Sequence, residues 1–222
     1  MNMIITAARV ELENVRYTPE GKHFKTGDIR KLSSKLFADV KDMPVGDVFA
    51  ICGELLEQRN WPMGVIAYDF AYRMRKHYDE NTFAVFERWL ADYVRGWGDC
   101  DDFCTHAFGE LVCQRTELAD KAAGWTGRDE FWMRRAAAVV LIPSIKKSKY
   151  GETKPLRISD MLMADAHDLV RKGYGWMLKE FSVKEPELVF GYLIKNKDAM
   201  PRVAFRYALE KMDAGKKLQL MR

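Results

Sequence analysis

Residues 26–62 read TGDIRKLSSKLFADVKDMPVGDVFAICGELLEQRNWP, and this stretch decides the fold class. Ile29, Leu32, Leu36, Phe37 and Val40 recur at helical spacing, with Thr26 as the candidate cap and Met43-Pro44 as the stop. From Val45 to Gln58 the pattern repeats, with Val48, Ile51, Leu55 and Leu56 on one face. Asn60-Trp61-Pro62 stops it and starts the next, because proline is tolerated in a first helical turn. The same punctuation predicts helices over Met63–His77, Asn81–Tyr93, Trp97–Cys113 and Arg128–Ile142, with Gly124 and Gly127 breaking the chain before the last. Pro143–Pro155 reads as a polar loop holding two prolines and a glycine. Beyond it, helices are predicted over Ile158–Arg171, Tyr174–Ser182, Pro186–Lys195 and Pro201–Met212. No convincing alternating strand is present. About ten modest helices with short connections predict an all-α fold, a single domain over residues 1–222, built as an α-α superhelix (solenoid) of stacked helical hairpins. A compact bundle is the competing architecture. A curved solenoid would offer a concave surface to an elongated ligand.

Composition narrows the class. Of 222 residues, 48% are hydrophobic, and 12 Phe, 9 Tyr and 6 Trp exclude disorder as the main state. The longest apolar run, Ala136–Ile142, is far short of the roughly 20 residues that a bilayer span needs. No basic flank followed by an apolar stretch opens the chain, so no secretory signal is expected. Cys52, Cys100, Cys104 and Cys113 form no CxxC pair and read as reduced core thiols of a cytoplasmic protein. The net charge of +4 is unevenly spread. Residues 146–222 hold 17 Lys+Arg against 10 Asp+Glu, whereas residues 1–145 hold 19 against 22. A basic C-terminal third fits either a polyanionic partner or a solvated surface.

Three segments could carry chemistry. In Arg95-Gly-Trp-Gly-Asp-Cys-Asp-Asp-Phe-Cys104, three carboxylates, Asp99, Asp101 and Asp102, crowd a helix start. One of them suffices as a cap. The excess leaves room for a carboxylate beside an aromatic wall that stabilises a developing cation or orients water. Metal binding is less favoured, since Asp99, Asp101, Asp102 and His106 have no second ligand cluster at a recognisable spacing. In Phe131-Trp-Met-Arg-Arg-Ala-Ala-Ala138, Arg134 and Arg135 point about 100° apart. Arg135 lies beside the apolar stripe and needs either a buried acid or a phosphate as partner. In Arg171-Lys-Gly-Tyr-Gly-Trp-Met-Leu-Lys-Glu180, Gly173 and Gly175 each cost a helix about 1 kcal/mol, which points to close approach by another backbone or a ligand. Trp176 is then either a core residue or a platform for a sugar, base or cation. No GxGxxG, P-loop or nucleophile elbow is present, so dinucleotide and ATP chemistry have no support.

Taken together, Trp97-Gly-Asp-Cys-Asp101, Trp132-Met-Arg-Arg135-Ala-Ala and Gly175-Trp176-Met-Leu-Lys-Glu180 resemble the AlkD family of DNA alkylation repair glycosylases in order and approximate spacing. The resemblance covers roughly residues 45–213, with a weaker echo in the Lys22–Leu32 stretch. It implies HEAT-like helical repeats whose basic concave face holds duplex DNA, and excision of cationic alkylated purines such as 3-methyladenine and 7-methylguanine without metal or cofactor. It places the catalytic aspartate on Asp101, with Asp102 as the one-residue alternative, the two tryptophans on Trp97 and Trp176, and the arginine on Arg135, there to hold a flanking phosphate. Arg134, Lys146, Lys147, Lys149, Arg171 and Lys172 are the accompanying candidates for DNA contact, and Tyr17 is a further groove or packing residue. A monomer acting on alkylated duplex DNA is expected. The rivals are the same fold binding damaged or branched DNA without chemistry, and a protein–protein scaffold.

Overall fold

The computed structural model describes residues 3–15 and 25–221, and every regular element among them is helical. Tyr17 and residues 22–24 of the N-terminal echo lie outside the described residues. The chain divides into two compact units, Met1–Val94 and Arg95–Arg222.

The first unit contains α1 (Met3–Val15), α2 (Thr26–Phe37), α3 (Val45–Leu56), α4 (Trp61–Arg73) and α5 (Thr82–Asp92). Thr26 does not cap α2. Lys25 occupies the cap position and no side chain closes it. At α4 the Asn60 side chain accepts the Met63 amide at 3.1 Å, with Pro62 in the first turn as its fixed φ favours. The helix predicted to reach His77 ends at Arg73 and tightens into a 3-10 turn over Arg75–His77. Both α2 and α3 pack on α4. Phe37 meets Phe70 edge-on at 5.3 Å, and Asp69 accepts from Ser33 of α2 and Arg73 of α4, each at 2.7 Å. Phe49, Tyr78, Phe86 and Trp89 form an aromatic cluster beside them.

The second unit contains α6 (Trp97–Thr105), α7 (Ala107–Gln114), α8 (Ala119–Ala123), α9 (Phe131–Val139), α10 (Ile142–Lys146), α11 (Pro155–Leu162), α12 (Asp168–Lys184), α13 (Pro186–Asn196), α14 (Arg202–Leu209) and α15 (Ala214–Met221). Four sequence expectations are corrected here. The predicted Trp97–Cys113 block is two helices, broken at His106, whose φ of −119° and ψ of −99° are not helical. Gly124 and Gly127 do break the chain, as a 3-10 turn after α8, but the helix expected over Arg128–Ile142 is confined to Phe131–Val139, and α10 starts at Ile142. The predicted loop begins later than Pro143, because Pro143 sits in the first turn of α10, where its missing N–H costs nothing, while Ile142 and Ile145 are buried. The helix expected to run Ile158–Arg171 stops at Leu162. Its successor starts at Asp168, where the His167 ring accepts the Leu169 amide, and continues unbroken through both glycines.

The glycines of α12 are explained by packing. A Cβ at Gly175 would lie 2.8 Å from the Ala204 carbonyl oxygen, 2.8 Å from Tyr207 Cβ and 3.0 Å from Ala204 Cα, so α12 and α14 touch backbone to backbone there. A Cβ at Gly173 would meet the Arg135 side chain at 3.0 Å. The close approach of another backbone inferred from the two glycines holds at Gly175, while at Gly173 the neighbour is the Arg135 side chain. Gly175→Ala is expected to force the two helices apart at a cost of about 1–3 kcal/mol, read as a lower urea midpoint with the slope unchanged. In this unit α6 packs on α9, α9 on α12 and α12 on α14, and this row of helices carries the site.

Candidate nucleic-acid repair site

Helix α6 places Trp97 and Asp101 four residues apart and so on one face. Its cap position is Gly96, with no side-chain cap, so none of the three acids serves as the cap that the sequence allowed. Asp99 lies in the first turn, where the helix dipole favours it. Trp97 is 56% exposed, unusual for so large an apolar ring.

Asp101 meets Arg135 of α9 across a two-pronged ion pair. Nε donates to Oδ1 at 2.7 Å and Nη2 to Oδ2 at 2.7 Å. The third guanidinium nitrogen, Nη1, donates to the Leu169 carbonyl at the start of α12. Of the two partners open to Arg135 in the sequence, the structure supplies the acid. The residue is only 5% exposed and its fork is turned into the helix row. Burial works against its charge, but the hydrogen bonds and charge of Asp101 outweigh that and raise its pKa above the ordinary arginine value. The Asp101 side chain keeps 18% exposure, so solvent still reaches it. A carboxylate offers about four lone-pair sites and Arg135 takes two.

Asp102 points elsewhere. It faces His106, whose Nδ1 lies 2.8 Å from the Asp102 carbonyl oxygen and 3.5 Å from its carboxylate. The two adjacent acids thus have different surroundings, as their helical directions require. Asp99 has its carboxyl pKa raised by burial and by the charge of Asp102. A carboxyl raised in the folded state opposes folding above its folded pKa and has no effect below its unfolded value. Asp99→Asn is accordingly expected to raise the melting temperature at about pH 7, with the gain vanishing as pH falls below about 4. Melting curves of both proteins across that range check it.

Trp176 stands on α12, half-buried, three residues beyond the Gly173 that Arg135 covers. Its Nε1 donates to Glu180 at 3.2 Å. Glu180 is itself 7% exposed and is held by Lys211 at 2.8 and 3.0 Å. Glu180 has no role legible in the sequence motifs beyond its four-residue spacing from Trp176, which puts the two on one helix face.

The remaining cations are mostly engaged within the protein. Arg134 pairs with Asp165 at 2.6 Å and donates to the carbonyls of Arg128 and Asp129. Arg171 donates to the Asp165 carbonyl at 2.6 Å, Lys172 pairs with Asp168 at 2.6 Å, and Lys147 pairs with Glu110. Lys146 and Lys149 are exposed. Among the described residues no three His, Cys, Asp or Glu side chains converge as metal ligands, and the four cysteines are buried free thiols. No helix among them is long and apolar enough to cross a membrane.

A family model described as DNA alkylation repair enzyme matches residues 17–212. The chain belongs to this family. Its motifs on α6, α9 and α12 are those that resemble the AlkD-like glycosylases, and membership places the protein in DNA repair, with DNA as its substrate. The solved structure of a predicted DNA alkylation repair enzyme from Enterococcus faecalis shares the fold, with a TM-score of 0.68 at 16% identity over 94% of this chain and 95% of that one. No curated protein matches the chain. The all-α fold predicted from residues 26–62 onward is the fold observed, an arrangement of consecutively packed helices of the α-α repeat class.

Proposed function

We propose that the protein is a DNA glycosylase that hydrolyses the N-glycosidic bond of cationic alkylated purines, 3-methyladenine and 7-methylguanine, in duplex DNA, as a monomer in the cytoplasm. One observation carries the reading: a partly exposed aspartate, Asp101, fixed on both oxygens by a buried arginine, one turn from an exposed tryptophan. Alkylation puts a positive charge on the base, so the base is already a good leaving group and needs little acid catalysis. The C1′–N bond breaks with its electron pair going to the base, which leaves neutral. The sugar becomes oxocarbenium-like, water adds to C1′, and its proton passes to solvent.

Asp101 suits the cationic stage. Its negative charge stabilises the sugar cation electrostatically, and a free lone pair can orient the attacking water. Arg135 holds the carboxylate in place, so little reorganisation is needed as the charge develops. Trp97 and Trp176 offer electron-rich faces to the same cation. The exposed Lys146 and Lys149 suit phosphate contact, setting register without reading sequence. Arg134, Arg171, Lys147 and Lys172 would contact phosphate only by exchanging or sharing their present partners. The test is release of 7-methylguanine from methylated duplex DNA by the wild-type protein. Release above the spontaneous rate is the expected result. Salt-sensitive DNA binding without release would indicate a binding module, and no DNA affinity at low salt would indicate a protein scaffold.

A further inference from the structure

Trp176 is the one member of the proposed site whose ring is tethered by a polar bond. Its Nε1–H donates to Glu180 one turn along α12. Glu180 is nearly fully buried, which is costly for a carboxylate without partners. Both of its oxygens receive Lys211, a residue in the turn after α14. Burial alone would raise the Glu180 carboxyl, but the Lys211 hydrogen bond and the charges of Lys146 and Lys211 hold it below the ordinary value, with help from the indole N–H. The same helix, α14, also presses against Gly175 beside the tryptophan. Trp176 is therefore held by the chain Lys211–Glu180–indole, and its helix by backbone contact at the adjacent Gly175.

An indole face attracts a cation only when the cation lies over the ring, so a tilt of the plane forfeits the interaction. A half-buried indole N–H needs an acceptor for packing alone, so the mark of a positioning role is the effect of the tether on the reaction. We propose that Glu180 is a positioning residue for the glycosylase reaction: locked by Lys211, its carboxylate fixes the plane of the Trp176 indole toward the cationic sugar. This rests on the glycosylase reading above. Glu180 touches neither DNA nor the reacting atoms, and acts through Trp176.

The experiment compares wild type, Glu180→Ala and Glu180→Gln, each also in a Trp176→Phe background, using methylated duplex DNA under multiple turnover. The indole N–H resonance of Trp176 is followed in parallel by NMR, assigned as the signal lost in Trp176→Phe. Glu180→Ala is expected to shift that resonance and to lower kcat about tenfold with KM for DNA unchanged. Glu180→Gln, which keeps an acceptor for the N–H, restores the resonance and most of the rate. With Phe at 176 there is no N–H to tether, so Glu180→Ala has no further effect on kcat. An enzyme that releases base but keeps its kcat in Glu180→Ala, or loses as much again in the Trp176→Phe background, overturns the positioning role. Wild type that releases no base overturns the glycosylase reading, and the inference with it, even where the resonance behaves as described.

Discussion

Asp101→Asn is expected to slow release of 7-methylguanine from methylated duplex DNA by about 10²-fold or more, the usual loss when a positioned electrostatic group is removed from a reacting centre. The substitution keeps the shape of the side chain and removes its charge. On the proposed mechanism, stabilisation of the sugar cation is then lost, while binding of the duplex is expected to be retained. Single-turnover kinetics with saturating protein check the chemical step directly. The same change leaves Arg135 buried with half of its partner. Breaking a buried pair in this way costs roughly 3–5 kcal/mol when the partner vanishes, and less when an amide oxygen remains to accept one bond. The rates are therefore to be compared below the melting temperature of the variant, with circular dichroism confirming the fold. Asp102→Asn is the control: its carboxylate faces His106, so the rate is expected to stay near wild type. A full rate in Asp101→Asn together with a lost rate in Asp102→Asn would reverse the assignment.

Gly109→Ala is expected to be the most damaging glycine-to-alanine change among the described glycines. A Cβ there would lie 2.2 Å from the Cys104 carbonyl oxygen, 2.5 Å from Pro143 Cγ and 3.0 Å from Pro143 Cδ. The first neighbour is backbone and the second a proline ring, and neither can rotate away. Both are fixed by the fold: Cys104 lies just before the break at His106, and Pro143 is in the first turn of α10, which packs on α7. The cost is expected to be about 3 kcal/mol or more, at the severe end for an overpacked core. For a chain of this size that lowers the melting temperature by roughly 10 °C. Gly53→Ala provides the contrast. A Cβ at Gly53 in α3 meets nothing within 4 Å, so the same change should stabilise by about 0.5–1 kcal/mol through helix propensity alone. Urea melts of the three proteins decide between the opposite signs.

Helices α2 to α5 of the first unit are legible to within a few residues because their signals are local, whereas α1 carries no reading in the sequence. Apolar spacing in α2 and α3, and the Asn60-Trp61-Pro62 punctuation of α4, act within one or two turns. The misread boundaries of the second unit depend on remote contacts. The break at His106 divides a continuous apolar pattern. Pro143 looks like a loop residue until Ile142 and Ile145 are seen to be buried. Helix α12 runs through two glycines because Arg135 and α14 occupy the space that side chains would fill. At the candidate site, the motifs of α6, α9 and α12 were readable as residue types, and so were the two choices of partner for Arg135.

Local sequence is enough to show an all-α fold, the family that the motifs resemble, and the acid, arginine and tryptophans worth testing. These follow from periodicity and short motifs, which need no knowledge of distant neighbours. The tertiary structure decided that Arg135 grips Asp101 across 34 residues of chain, that Asp102 turns to His106, and that Lys211 braces Glu180 from 31 residues away. Those pairings come from the packing of α6, α9, α12 and α14, where long-range apolar burial brings helices together and leaves each charged group the partners within its reach.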